Sequence, residues 1–265
     1  MIFDAGNTLL RMSYEAIADC LATYHVRVDT AAVERAEWRA RVRLDDELLA
    51  PRTPGVSTET ANTADRYLAF ILDGLGVTDA TVVGAMTTWR RHYNPPAGLW
   101  TAATPGAGAA LERARAAGLA TAVVSNSNGS VRTILAGLGL TRHLDFVLDS
   151  SEVGVEKPDP AIFRLALERA GVAPAEAIYV GDIYSVDVLG ARAAGMEAVL
   201  LDPGACWGRR DCWASIPHRS CGCWRAEPTA RRHSPGATSK PMSPPSSAQQ
   251  PSPINSSSEA STHEA

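Results

Sequence analysis

The sequence predicts an α/β fold, a parallel sheet with helices on both faces, interrupted by an inserted all-helical block. Three observations predict it. Short apolar runs alternate with helix-length amphipathic segments between residues 100 and 204. Each run ends in polar residues. Residues 13–94 carry helical periodicity and no clear strand. Strands separated by helices of this length favour a parallel sheet covered on both faces.

The first element is the run Ile2-Phe3, which ends in Asp4-Ala5-Gly6-Asn7-Thr8-Leu9. A strand that stops at a carboxylate and breaks into a turn sets Asp4 at the C-terminal edge of a sheet, where ligands bind in α/β folds. There it can serve as a metal ligand, a nucleophile or a plain turn residue. Only three residues precede Asp4, which is short for a buried strand. Helices are then expected over 14–24, 30–49, 60–75 and 79–92. Val33, Ala36, Trp38 and Val42 roughly follow the helical period, and 51–57 is expected to be a mobile loop. Inserted directly after the first strand, this block is placed to form a lid over the edge that carries Asp4.

The later elements alternate. A helix over 106–117 ends at Gly118, a common C-cap residue. A strand over 119–124, a helix over 131–138 and a strand over 146–148 follow. The helix over 160–170 has Pro at its start and Gly171 after it. A strand over 177–180, a helix over 185–194 closed by Gly195 and a strand over 198–201 complete the unit. The expected division is a core of 1–12 and 95–204, a helical cap of 13–94, and a low-complexity tail of 205–265. From about residue 225 the tail is Ser, Pro, Thr, Ala and Gln, too poor in apolar surface to offset its ordering entropy.

Composition excludes some function classes. Of 265 residues, 45% are hydrophobic, enough for a sizeable core, and the net charge of −4 offers no basic footprint for nucleic acid. No apolar run approaches the roughly 18 residues of a membrane span, and no signal-peptide pattern is present. A cytoplasmic location, with neither nucleic acid nor membrane as partner, is the expectation. Only Cys20 lies in the first 205 residues; Cys206, Cys212, Cys221 and Cys223 crowd near His218. Their spacing lacks a paired Cys-x-x-Cys, so zinc is disfavoured.

The chemistry sits at the predicted strand ends. Ser125-Asn126-Ser127-Asn128-Gly129 offers a hydroxyl and turn amides, suited to a phosphate oxygen or to capping the next helix. Lys157-Pro158-Asp159-Pro160 follows. Among 25 Lys plus Arg, only Lys157 and Lys240 are lysines, and Lys240 lies in the tail. A compact ammonium approaches a carboxylate and a phosphate where a planar guanidinium does not fit. Gly181-Asp182-Ile183-Tyr184-Ser185-Val186-Asp187 puts two carboxylates in one strand-to-helix turn. They can converge on a hard cation such as Mg²⁺, or Asp187 can favour the helix dipole.

In this order and spacing, the four segments resemble the haloacid dehalogenase (HAD) superfamily of hydrolases over residues 1–204. The first looks like its Asp-x-Asp-Gly-Thr-Leu, the second its strand-end Ser or Thr followed by Asn. The third matches its Lys, commonly followed by Pro, and the fourth its Gly-Asp-x-x-x-x-Asp. The insert matches its type 1 cap. The resemblance implies a Rossmann-like core and a Mg²⁺-dependent phosphatase acting on a small phosphorylated metabolite. Asp4 would be the nucleophile that becomes an aspartyl phosphate. Ser125 would bind the phosphoryl group, with Asn126 in the same loop, and Lys157 would stabilise the negative charge. Mg²⁺ would be held by Asp4, the Gly6 backbone carbonyl and Asp182. Asp187 would act through water and as partner of Lys157.

The chain departs from that pattern. Gly6 stands where the family's phosphatases carry a second Asp as general acid and base, and Asn7 stands where they carry Gly. Losing one acid/base group typically costs about 10²–10⁴-fold, so hydrolysis is expected to be slow, limited to esters with good leaving groups, or assisted by the cap; His25 and His92 are candidate cap donors, though each reads first as an ordinary surface histidine. Gly6→Asp is expected to speed hydrolysis. Alternatives are a metal-independent haloacid dehalogenase, or a catalytically weak member that binds a phosphorylated ligand or partner. The polar stretch after 204 stands where the resemblance implies a closing strand and helix; a shifted reading frame and a natural tail are both open.

Overall fold

The computed structural model describes residues 1–52 and 56–208. The expected loop at 51–57 lies partly outside these residues. So do Cys212, His218, Cys221, Cys223 and nearly all of the expected tail.

The core is a five-stranded sheet in the order β5-β4-β1-β6-β7, parallel throughout. Its strands are β1 (Ile2–Phe3), β4 (Ala122–Ser125), β5 (Phe146–Asp149), β6 (Ile178–Gly181) and β7 (Glu197–Leu200). β1 is central. Ile2 lies beside Ala122 and Tyr179, and Phe3 beside Val123 and Val180. Successive side chains on a strand point to opposite faces, and this short strand shows it. Ile2 packs in one cluster with Ile162, Phe163 and Leu167 of helix Pro160–Ala170. Phe3 packs in another with Leu111 of helix Ala107–Ala116 and Leu135 of helix Val131–Gly137. Helices therefore cover both faces, as the alternation predicts.

The insert consists of α1 (Tyr14–Thr23), α2 (Thr30–Leu44), α3 (Ala61–Gly74) and α4 (Ala80–His92). Ser13, Asp29, Thr60 and Asp79 cap them, each side chain accepting a backbone N–H of the first turn. Ile17, Leu21, Val33, Ile71, Leu72 and Met86 form its own apolar core.

The structure adds features absent from the sequence reading. Strands β2 (Leu10–Met12) and β3 (Trp100–Ala103) pair antiparallel and carry the chain into and out of the insert. Each is too short and too mixed for period-2 alternation to register. The predicted helix over 30–49 ends in a π-helical turn, Asp45–Leu49, and the one over 185–194 begins with another, Tyr184–Val188. Such turns recur at functional sites. Here they meet: Asp45 accepts hydrogen bonds from the backbone N–H and hydroxyl of Ser185. The expected tail boundary at 205 also shifts. Trp207, 3% exposed, packs in the same cluster as Ile2, and Asp202 accepts the N–H groups of Cys206 (2.7 Å) and Trp207 (3.0 Å). Among the described residues, no helix is long and apolar enough to cross a membrane.

Candidate active site

Parallel pairing sets the C-terminal ends of β4, β1 and β6 side by side, so Ser125, Asp4 and Asp182 emerge at one edge. The pairing continues to the carboxylate itself, because Asp4 N–H donates to Val180 O at 2.8 Å. Asn7 has φ +49°. That left-handed conformation favours Gly and, among other residues, Asn, so the departure from Gly at this position keeps the turn.

Lys157 is the hub. Its Nζ lies 2.5 Å from Asp4 Oδ1, 2.8 Å from Asp187 Oδ1 and 2.9 Å from the Tyr179 hydroxyl. An ammonium has three donors, and all are used. Burial alone would lower its pKa, but Asp187 and Asp4 overcome that and hold it well above the usual lysine value. Tyr179, which the sequence reading missed, donates in turn to Val124 O at 2.9 Å. The predicted phosphate-loop residue Asn126 uses its side chain on Lys157. Its Nδ2 donates to Lys157 O at 2.9 Å, and its Oδ1 accepts Lys157 N–H at 2.7 Å. Ser125 is buried and lines the cavity described below.

Asp187 folds back over its own turn. Its Oδ2 accepts the N–H groups of Asp182 (3.0 Å) and Ile183 (2.9 Å). This requires Gly181, since a Cβ there would lie 2.4 Å from Asp187 Cγ. Asp182 is different. Its Oδ2 is buried and accepts no hydrogen bond, with Arg41 Nη1 3.4 Å away. Burial pushes the Asp182 carboxyl well above the usual range; Arg41 opposes this, while Asp4 and Asp187 add to it. Burial likewise raises Asp4 to about 6, with Lys157 pulling the other way.

Carboxylate oxygens of Asp4, Asp182 and Asp187 lie within 4.8 Å of one another. With Glu37, which binds Arg41, the buried cluster holds four carboxylates against the two cations Lys157 and Arg41. With all four ionised, that is an excess of two negative charges beside an orphaned acid oxygen, a donor set that suits a divalent hard cation.

The insert reaches into this site. Arg41, on α2, binds Glu37 through Nε (2.9 Å) and Nη2 (2.6 Å). Tyr14 and Tyr67 donate their hydroxyls to Glu37, and Asn7 Nδ2 donates to Tyr67 at 3.0 Å. A buried polar chain thus runs from the Asp4 turn through the insert to Asp182. The Glu37 and Arg41 spacing of four was visible in the sequence, but such pairs usually sit on a solvated helix face.

Between sheet edge and insert lies a cavity of about 590 Å³. Asp4, Ser125, Lys157 and Asp182 line it from below, with Glu59, Tyr67 and Trp100 among its other walls. The candidate donors His25 and His92 are not in its lining. Both are exposed, and His92 Nδ1 lies 2.8 Å from Thr88 O. A Cβ built on Gly6 would make ordinary contact with the Trp100 ring at 3.5–3.8 Å.

Residues 1–195 match the haloacid dehalogenase-like hydrolase family. The human "haloacid dehalogenase-like hydrolase domain-containing protein 3" is 33% identical over 76% of this chain and 80% of its own length. The phosphoglycolate phosphatase of Rhodospirillum rubrum is 30% identical over 77% of this chain and 79% of its own. The phosphoserine phosphatase of Thermus thermophilus is 50% identical, but the match covers only 38% of this chain and 41% of that protein. The mouse domain-containing protein 3 is likewise spanned over only 38% of its length. The magnesium-bound putative HAD-hydrolase YfnB of Bacillus subtilis shares the fold, with a TM-score of 0.53 at 16% identity over 77% of this chain and 86% of that one. Family match, relatives matched over 80% and 79% of their own length, and sheet topology agree: the chain belongs to the haloacid dehalogenase-like hydrolases.

Proposed function

We propose that the protein is a Mg²⁺-dependent phosphatase that cleaves a small phosphomonoester through an aspartyl phosphate on Asp4. The observation that carries the reading is the excess of buried carboxylates, with its orphaned Asp182 oxygen, at the floor of the cavity that Asp4 lines. The relatives named as phosphatases support it. Asp4, the Gly6 carbonyl and Asp182 would hold Mg²⁺, with Asp187 acting behind them. When bound, the ion offsets repulsion between the carboxylate nucleophile and the phosphate dianion.

The remaining work falls to side chains. Lys157 fixes Asp4 by one oxygen and places positive charge beside the phosphoryl group. Asp187, Tyr179 and the Asn126 clamp hold Lys157 in that position. Ser125 offers its hydroxyl to a phosphoryl oxygen. The Asp4 carboxylate attacks phosphorus, and water then hydrolyses the acyl phosphate.

Phosphate release from p-nitrophenyl phosphate, with and without Mg²⁺, tests the reading. Asp4→Asn is expected to reduce Mg²⁺-dependent release to background; equal rates in wild type and variant would sink the proposal. The rival reading is metal-independent displacement of halide from a haloacid. Arg41 favours it by setting a protein cation beside Asp182. That charge is already shared with Glu37, which leaves the cluster acidic and supports the metal-dependent reading. Chelator-resistant release of halide from a 2-haloacid would reverse the preference.

A further inference from the structure

We infer that Glu59, carried by the helical insert, is the acid/base residue that supplies and recovers the proton where Gly6 has no side chain. The inference rests on the phosphatase reading above. It also rests on how residues 57–60 are held.

Two ties fix this segment over the sheet edge. Ser57 donates its hydroxyl to Glu156 Oε2 at 2.5 Å, and Glu156 immediately precedes Lys157. Asn126 donates through Nδ2 to the Thr58 hydroxyl at 3.0 Å, and Asn126 immediately follows Ser125. One tie therefore runs to the lysine loop and the other to the Ser125 loop. The next residue is Glu59, whose N–H is held by Ser57 Oγ at 3.0 Å. Thr60 then caps α3, which prevents the segment from sliding along its own chain. Glu59 lines the same cavity as Asp4, Ser125 and Lys157.

Glu59 is exposed, and it lines the cavity. The protein around it nonetheless desolvates the carboxyl. Desolvation, with Glu156, Asp149 and Asp4 adding and Lys157 opposing, raises its pKa to about 7. The other charged groups on the cavity wall are Arg90 and Arg91, both paired with Asp65, and Asp182 and Asp187. A carboxyl poised near neutrality can both give and take a proton. Among the described residues no hydrogen bond engages it.

The proton balance closes. As an Asp4 oxygen bonds to phosphorus, the bond from phosphorus to the leaving oxygen breaks, and that oxygen takes the Glu59 proton. The Glu59 carboxylate then takes a proton from the water that attacks the acyl phosphate. The bond from phosphorus to Asp4 breaks, inorganic phosphate leaves, and Glu59 is protonated again.

The experiment compares two esters with the full chain and Mg²⁺. p-Nitrophenyl phosphate has a leaving group that departs unprotonated; glycerol phosphate needs an acid. Glu59→Gln is expected to lower turnover of glycerol phosphate by about 10²–10⁴-fold. With p-nitrophenyl phosphate it should release about one equivalent of nitrophenol in a burst and then stall. Intact mass should then show one added phosphoryl group. The wild-type rate on glycerol phosphate should decline as pH rises past about 7, a decline the variant lacks. Glu59→Asp should retain part of the rate, and adding Gly6→Asp to Glu59→Gln should restore turnover. Wild-type kinetics in Glu59→Gln, or equal losses on both esters without a burst, would overturn the role of Glu59 alone. A wild-type protein that releases no Asp4-dependent phosphate overturns the phosphatase reading, and this one with it.

Discussion

Lys157→Met is expected to abolish turnover and to lower the melting temperature by about 6–20 °C at pH 8. The substitution leaves Asp4 and Asp187 buried without their shared cation. Breaking a buried pair by removing one partner costs about 3–5 kcal/mol, and 1 kcal/mol moves a domain of this size by about 2–4 °C. The deficit has a pH signature. Asp4 already titrates near 6 because of burial, with Lys157 holding it down. Without Lys157 its pKa rises further. A carboxyl whose folded pKa exceeds its unfolded value binds its proton more tightly in the native state. That contribution is complete below the unfolded pKa and is lost as pH rises through the folded one. The gap between variant and wild type should therefore shrink between pH 8 and pH 5. Calorimetry at both pH values checks it; an equal gap at each would mean that Asp4 does not carry the unpaired charge. Lys157→Arg should fare little better, since a planar fork does not match three acceptors converging on one nitrogen.

The residues most legible in the sequence are those where a local rule breaks. Asp4, Ser125 and Asp182 each interrupt or follow an apolar strand, and Lys157 is the only lysine among the described residues, where arginine otherwise carries the positive charge. Pattern and spacing could therefore place them before any contact was known. The sheet followed from the same alternation. What stayed hidden lacks a local signal. Tyr179 reads as an ordinary strand aromatic, yet its hydroxyl completes the coordination of Lys157. Glu59 sits in a polar segment like many others; only the ties of its neighbours, Ser57 to Glu156 and Thr58 to Asn126, more than sixty residues away in sequence, hold that segment over the site. The β2–β3 pair and the two π-helical turns answer to tertiary contacts, chiefly Asp45 on Ser185, which no window of sequence contains. Gly6 was legible as a departure, but the nearby Trp100 ring was not, because β3 returns to this turn only after the whole insert.

Arg41→Met is the second large effect, and it separates a structural role of the insert from a chemical one. Arg41 and Glu37 are 3% and 0% exposed, so the variant leaves Glu37 and Asp182 as uncompensated buried acids. A loss of about 3–5 kcal/mol is expected without metal. Two additions should recover stability by different routes. Glu37→Gln in the same chain removes one orphaned charge and keeps an acceptor for Tyr14 and Tyr67, so the double variant should melt above Arg41→Met. Mg²⁺ should raise the melting temperature of Arg41→Met more than that of wild type, because Asp182 then has no guanidinium nearby; saturation at about 100 times Kd corresponds to about 2.7 kcal/mol. Thermal melts of the three proteins with and without Mg²⁺ read both effects. If Mg²⁺ shifts wild type and Arg41→Met equally, Arg41 and the ion do not share Asp182. The guanidinium then serves only to hold Glu37, Tyr14 and Tyr67 together inside the insert.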